Sequence, residues 1–452
     1  MQRQMKLIAF LQAQNCSNYP ASWRHPLAAQ DWDTPAYYER IGRVLEEGKF
    51  HLAFFDDRLA MPDRYNDDYR ETVKQGVRAV KLDPAIIATI MGMATEKLGL
   101  GLTYSTTYYE PFHVARLFAT MDLMLGGRVA WNVVTSLNDS EAANFGMDQH
   151  LEHDLRYDRA DEFLHVVTGH WNSWEEGSVL RDRASGQFAD PDLVHRLDHR
   201  GKFFASRGPF TVPRSAQGQP VLIQAGQSGR GRAFAAEWGD LIFVIYPNLD
   251  VARKSYAGMQ QEIAAAGRNG ICVAPAVYPV VAETRAEAED KLAVIEGLAT
   301  TGDALILLSE VLNFDFAAKP PGEPFSDDEM EAISGLRAIR DRVTTLSGKS
   351  NPTVEDFVKF SNRGSVHEFP VFCGSPVDVA DQMEEWFTGG ACDGFVISAT
   401  HIPGSYEDFV RLVVPELQRR GLFRKEYEGA TLRENLGLPI PSARDRHLRQ
   451  AS

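Results

Sequence analysis

The chain has 452 residues, of which 47 are basic and 62 acidic, giving a formal net charge of -15 and a pI near 5.3. That balance opposes binding to nucleic acid and to anionic membrane surfaces, leaving small-molecule chemistry as the expected trade. With 44% hydrophobic residues it can bury a large core, and its four cysteines, Cys16, Cys272, Cys373 and Cys392, form no CxxC pair, which argues against a disulfide framework or a zinc site and for a reducing cytoplasm. The opening MQRQMKLIAFLQAQ lacks a long apolar run with a small-residue cleavage site, and no stretch reaches the ~18 apolar residues of a membrane span, so neither export nor membrane insertion is expected.

Strand-like and helix-like stretches alternate along the chain. A first strand is expected over residues 6–11, followed by a polar loop through Trp23-Arg24-His25-Pro26. Thr34 in the cap position and Pro35 in the first turn open a helix in which Tyr37, Ile41, Val44 and Leu45 share a face, and Gly48 ends it. A short strand over 51–55 runs into Asp56-Asp57, and a helix over 84–97 follows. A third strand over 98–107 turns to small and hydroxyl residues near its end, with a helix over 113–125. Residues 128–136, RVAWNVVTS, read as an inner β-branched strand that ends at the polar cluster Thr135, Ser136, Asn138 and Asp139. Asn132 and Thr135 sit there among apolar neighbours and need partners, which either a ligand or an adjacent strand supplies.

Helical spacing returns over 153–174, with Tyr157, Ala160, Leu164, Val167 and Trp171 on one side. Residues 176–218, rich in Gly, Asp, Arg and Pro, break the rhythm. Strands at 220–225, 241–246 and 271–280 then alternate with helices at 233–238, 249–266 and 285–298. A second excursion over 300–365 carries helical patches near 303–312 and 327–346, and the chain closes with a helix over 376–387, a strand over 394–398 and a helix over 405–420. Eight short strands separated by amphipathic helices predict an α/β fold, a (β/α)8 TIM barrel, with insertions after the fourth and seventh strand-helix units. The whole chain is then one barrel domain carrying those two insertions and a tail from about residue 423. A doubly wound open sheet would demand a glycine fingerprint after the first strand, and LQAQNCSNYP has none.

In a barrel, function gathers at the carboxyl ends of the strands. Those ends offer Phe10, Asp57, residues 103–107, Asn132 with Thr135, residues 224–228, Phe243 with Tyr246, and Ser398, a polar and aromatic mix that suits a flat heteroaromatic ligand. QAGQSGRGR places glycines and Ser228 between a strand and a helix, which is either a phosphate cradle or a plain capped turn. His153 and Tyr157, four residues apart at a helix start, form a site face or a half-buried aromatic pair. Asp57 is a site carboxylate or an N-cap, and His25 a site group or a loop hydrogen bonder. His150, His153 and Asp154 lack further ligands at metal spacing, so no metal is expected. With no facing carboxylate pair and no G-x-S-x-G elbow, glycosidase and α/β-hydrolase chemistry is not indicated.

WRHP, the Phe-Asp end of the second strand, RVAWNVVTSLNDSEAANFG, QHLEHDLRYDRADEF, QAGQSGRGR and DGFVIS together resemble the bacterial-luciferase-like flavin-dependent monooxygenases, in the nitrilotriacetate monooxygenase and dibenzothiophene-sulfone monooxygenase branch, over about residues 6–438. The resemblance implies a barrel that takes reduced FMN (FMNH2) from a separate NAD(P)H-dependent reductase and, with O2, inserts one oxygen atom into a small organic substrate, cleaving a C-S, C-N or C-halogen bond. Aromatic sulfones and heteroaromatics are favoured over an aminopolycarboxylate of the nitrilotriacetate type, because the pocket residues are mostly apolar; the alternative is a noncatalytic flavin-binding barrel. By position, Asp57, Thr103, His153, Tyr157 and Ser228 match FMN-contacting residues, and Asn132 and Thr135 match the strand lining the isoalloxazine. Phe10, Phe55 and Phe243 would wall the pocket, with His25 and Asn132 beside the chemistry. The resemblance also implies a cytoplasmic homodimer or homotetramer, and the two excursions are expected to shape the substrate pocket. The loop Gln12-Ala-Gln-Asn-Cys16-Ser-Asn18 lacks the histidine that relatives often carry there, leaving Cys16 or Asn18 as stand-ins.

Overall fold

The computed structural model describes residues 3–226 and 229–443. Nine parallel strands organise it: β1 (Lys6–Gln12), β2 (Leu52–Asp56), β3 (Gly99–Ser105), β4 (Val129–Val134), β5 (Val221–Gln224), β6 (Leu241–Val244), β7 (Cys272–Val281), β8 (Val371–Gly374) and β9 (Gly394–Ser398). Eight of them close a ring, because β6 pairs with β7, β7 with β9, and β9 back with β1 through Lys6↔Gly394 and Phe10↔Ser398. The expected (β/α)8 barrel is the observed one. The sequence reading missed β8, which lies against the far half of β7 at Tyr278↔Val371.

Side-chain alternation sorts each strand into two faces. Ile8 and Phe10 on β1, Leu52 and Phe54 on β2, Ala130 on β4, Ile223 on β5, Phe243 on β6, Tyr278 on β7 and Val396 on β9 meet inside the ring. The odd-numbered residues of β1 and β2, Leu7, Leu11, Ala53 and Phe55 among them, pack outward against the helices instead. On β3 the first two inward positions are glycines for a steric reason. A Cβ at Gly101 would come within 3.0 Å of Ile223, and one at Gly99 within 2.6 Å of Leu432. Leu432 belongs to the helix Leu432–Leu436 in the tail, which plugs the amino end of the ring together with Leu436 and Leu438. Arg433 ties that plug to the barrel through Asp240 at 2.8 Å.

The helices follow the expected order with small shifts. The helix Pro84–Met93 is shorter than read, and Asp83 caps it by accepting from the Ala85 N–H at 2.8 Å. The last helix is broken by a π-helical turn, Phe409–Val413, between Gly404–Asp408 and Val414–Arg419. Pro415 explains it, since it has no N–H to return to the preceding turn. Among the described residues no single helix is long and apolar enough to cross a membrane.

The two excursions go to different places. Residues 300–365 build the helices Thr301–Leu312, Asp327–Ala332, Arg337–Ser347 and Val354–Ser361 around their own core of Leu308, Phe316, Phe325 and Phe357. Glu310 from this unit reaches Arg58 after β2 at 3.6 Å, so it roofs the carboxyl end of the barrel. Residues 176–218 do not shape that end. They run along the outside, where Glu162 accepts from the Phe203 and Phe204 N–H groups, and Gln217 donates to the carbonyl of Val129 at the amino end of β4. The chain leaves the helix His153–Trp171 at the bottom of the barrel and re-enters at the bottom of β5, so this excursion never needs to climb to the strand tips.

Candidate active site

At the carboxyl ends of the strands the ring is lined by aromatic rings on one side and amides and hydroxyls on the other. Phe10 stacks on Phe54 at 5.3 Å and tilts against Phe243 at 5.3 Å. Phe369, from the segment that follows the roof, closes the group at 6.4 Å from both Phe10 and Phe243 and stacks on Tyr278 at 5.2 Å. The wall expected from Phe10, Phe55 and Phe243 is therefore made by Phe10, Phe54 and Phe243. Phe55 is buried outside the ring, because Phe10 pairs in register with Phe54 and the next residue must face the other way.

Opposite the rings, Thr103 and Asn132 are paired in register on β3 and β4. The Thr103 hydroxyl donates to the carbonyl of Phe55 at 2.9 Å and accepts from Asn132 Nδ2 at 2.9 Å. A hydroxyl has one proton, so this arrangement fixes the flip of the Asn132 amide. Asn132 Oδ1 is then left as an inward acceptor, buried and with no hydrogen-bond partner among the described residues. A buried amide oxygen without a partner costs about 1 to 3 kcal/mol, which a ligand N–H recovers. The loop beyond is pinned: the Thr135 carbonyl accepts from Thr107 Oγ1 at 2.6 Å, and Ser136 Oγ meets Ser105 Oγ at 3.0 Å.

Two adjacent carboxyls at the end of β2 have opposite fates. Burial pushes Asp56 up, but Lys81, whose Nζ lies 2.9 Å away, and Arg78 outweigh it and hold the group below its usual range. Asp57 is raised by burial to about 7, and the Arg58 N–H donates to it at 2.9 Å. It therefore changes charge near neutrality, which fits a site group better than an N-cap.

His153 and Tyr157 lie on one face, with rings 5.2 Å apart, at the start of the helix His153–Trp171. Tyr157 packs against Phe234 at 5.5 Å and under Arg230 at 5.7 Å, both on the helix Gly229–Trp238. The pair is thus brought beside the turn that the sequence reading chose for phosphate. Ser228 itself lies outside the described residues.

His25 is not at the strand tips. Its ring stacks on His401 at 3.8 Å and lines a side cleft of about 430 Å³ between the helix Arg285–Glu296 and the turn after β9, which none of the cup aromatics or amides lines. Burial lowers both imidazoles, His401 to about 3, so they stack as neutral rings. The WRHP loop is held out there by Arg24, which pairs with Asp303 at 2.6 Å and donates to the carbonyl of Leu298 at 3.2 Å. Of the two stand-ins for a loop histidine, burial raises the Cys16 thiol, keeping it protonated, whereas Asn18 Nδ2 donates to the hydroxyl of Tyr278 at 3.1 Å.

Sequence reasoning missed Phe54, Phe369 and Tyr278, and the alternation from Phe10 would have found the first.

The comparisons with known proteins agree with this geometry. The family model for luciferase-like monooxygenases matches residues 5–392. Dibenzothiophene-sulfone monooxygenase of Rhodococcus erythropolis is 46% identical, over 97% of this chain and 98% of that protein. N-acetyl-S-(2-succino)cysteine monooxygenase of Bacillus subtilis (strain 168) is 38% identical over 97% and 98%. Among solved structures, riboflavin lyase with modified FMN and riboflavin superposes with a TM-score of 0.88 at 32% identity, covering 99% of each chain. A parallel eight-strand barrel, a cup of rings and fixed amides at its strand tips, and near full-length matches make this chain a member of the luciferase-like monooxygenase family, an oxygenase that works with reduced FMN.

Proposed function

We propose that the protein oxygenates and cleaves a small aromatic organosulfur compound, an aromatic sulfone or a related heteroaromatic, with FMNH2 supplied by a separate NAD(P)H:FMN reductase. The observation that carries the substrate class is the cup itself. Phe10, Phe54, Phe243 and Phe369 wall one side of it, and Asp56, a carboxylate at the end of β2, is neutralised by Lys81. Such a wall favours flat, uncharged rings over a polycarboxylate. The relative at 46% identity, dibenzothiophene-sulfone monooxygenase, is named for a substrate of this kind.

Bound reduced FMN supplies two electrons to O2, delivering one oxygen atom to the substrate and releasing the other as water. The chain's residues bind, orient and keep the chamber dry. Asn132 Oδ1, aimed by Thr103, would accept from a flavin N–H, with Thr135 and the pinned loop after β4 beside the ring and Asp57 at the rim. His153 and Tyr157 would serve the phosphate end, with the N-terminus of the helix Gly229–Trp238, and Ser228 before it in sequence, to hold the anion. The four phenylalanines exclude water. The enzyme works in the cytoplasm as a homodimer or homotetramer, a setting consistent with its four free cysteines.

The test is turnover with FMN, NADH and a generic flavin reductase across aryl sulfones, haloaromatics, nitrogen heteroaromatics and nitrilotriacetate. Consumption of an aryl sulfone with release of an oxygenated, ring-opened product is expected. Turnover of nitrilotriacetate alone would overturn the substrate class, and reoxidation of flavin with no substrate consumed would favour a noncatalytic barrel.

Two further results are expected. Ser228→Ala weakens FMN binding by about 1 to 3 kcal/mol through loss of a phosphate hydrogen bond, read by flavin fluorescence titration. Asp57 gives the affinity a pH dependence. Its folded value of about 7 lies above the ordinary 3.8, so its contribution to stability is full below 3.8 and lost as pH rises through 7. In the folded protein it becomes an anion around pH 7, so FMN, itself anionic, binds more weakly at pH 8 than at pH 6. Asp57→Asn should flatten that titration.

A further inference from the structure

Gln12 and Ser398 are left unexplained by the flavin reading. They lie on β1 and β9, adjacent strands joined by the Phe10↔Ser398 pairing, on the face that carries Phe10 into the ring. Gln12 is 3% exposed and Ser398 1%. Both polar atoms of the Gln12 amide and the Ser398 hydroxyl lack a hydrogen-bond partner among the described residues, and they do not pair with each other. They stand on the β1 and β9 side of the cup, whereas Thr103 and Asn132 stand on β3 and β4.

We infer that Gln12 and Ser398 form the polar subsite of the substrate, gripping a neutral, strongly dipolar oxygen such as a sulfone or carbonyl oxygen while its aryl rings lie against Phe10 and Phe54. This rests on the organosulfur reading and names the groups that would select within it. A carboxamide and a hydroxyl each offer a proton without a charge, which suits an oxygen that carries partial negative charge but no ionised group. The nearby strand-end carboxylate, Asp56, is already spent on Lys81 at 2.9 Å, so it brings no opposing field. An aryl sulfide of the same shape has no such oxygen and leaves both donors unpaired, so the subsite rejects the unoxidised thioether.

The experiment measures binding of diphenyl sulfone and diphenyl sulfide to the FMN-loaded protein by calorimetry, in the wild type, Gln12→Met and Ser398→Ala. The wild type is expected to prefer the sulfone by about tenfold or more. Gln12→Met should remove most of that preference and Ser398→Ala part of it, with sulfide and FMN affinities unchanged. Equal binding of the two ligands by the wild type, or a preference that survives both substitutions, would overturn the subsite. So would a loss of FMN affinity in Gln12→Met, which would assign the amide to the cofactor. Because binding is read apart from turnover, sulfone oxidation that is indifferent to Gln12 sinks the subsite alone. Selective binding without oxidation sinks the catalytic reading alone.

Discussion

Arg128→Met is expected to lower the free energy of unfolding by about 3 kcal/mol, the largest stability effect of any single substitution considered for this barrel. Arg128 is buried at the entrance to β4 and places its guanidinium between two stretches of backbone, residues 92–98 and Leu125. Its Nε donates to the carbonyl of Leu125 at 2.8 Å, Nη1 to that of Leu98 at 2.8 Å and to Thr95 Oγ1 at 3.1 Å, and Nη2 to the carbonyls of Gly92 and Thr95 at 2.9 and 3.0 Å. The Gly92, Thr95 and Leu98 acceptors belong to the end of the helix Pro84–Met93 and the approach to β3, and the Leu125 carbonyl to the end of the helix Pro111–Met124. Methionine fills the volume but leaves several buried carbonyls unpaired. Lysine would rescue little, because a single ammonium cannot span acceptors set for a planar fork. A shift of the urea midpoint reads the effect, and a midpoint within error of wild type would show that the carbonyls find other donors.

Asn132→Leu is expected to lower kcat/KM by about 100-fold while the urea midpoint stays near wild type, the scale seen when one preorganised polar group is removed from a reacting centre. The reason for so large an effect is that the amide is already paid for in the folded state. Its Nδ2 is held by Thr103, Thr103 is held by the carbonyl of Phe55, and the remaining oxygen faces the cup with no partner among the described residues. Leucine keeps the shape and removes the acceptor, so it separates a binding role from a packing role. Reduced-FMN affinity measured beside kcat/KM completes the test. A variant that turns over like the wild type would remove Asn132 from the site.

The ring of strands was legible because buried parallel strands are near-continuous apolar runs, and DGFVIS or RVAWNVV can be little else. The phase of those strands was harder. In Leu52–Asp56 the doublet Phe54-Phe55 is equally apolar on both faces, so hydrophobicity alone does not say which ring enters the barrel; the pairing of Phe10 with Phe54 does. Gln12 was passed over because β1 runs one residue beyond its apolar stretch, and polar strand tips look like loops in a sequence. Phe369 and the roof were hidden for a different reason. Their contacts with Tyr278 and Arg58 join segments far apart in the chain, and no local period encodes such a meeting. His25 shows the limit of a short motif: WRHP fixes a tight loop, yet the direction of that loop is set by Arg24 and Asp303.

The seam between the first and last barrel strands has a consequence for synthesis. Lys6 cannot find Gly394, nor can the bottom of the ring be plugged by Leu432, until nearly the whole polypeptide has left the ribosome. At about 5 to 20 residues per second, the nascent β1 then spends some 20 seconds or more with one edge unpaired. Its apolar run Leu7–Leu11 is the segment that a chaperone would have to shield during that interval, and the step at which production of the enzyme is most exposed to aggregation.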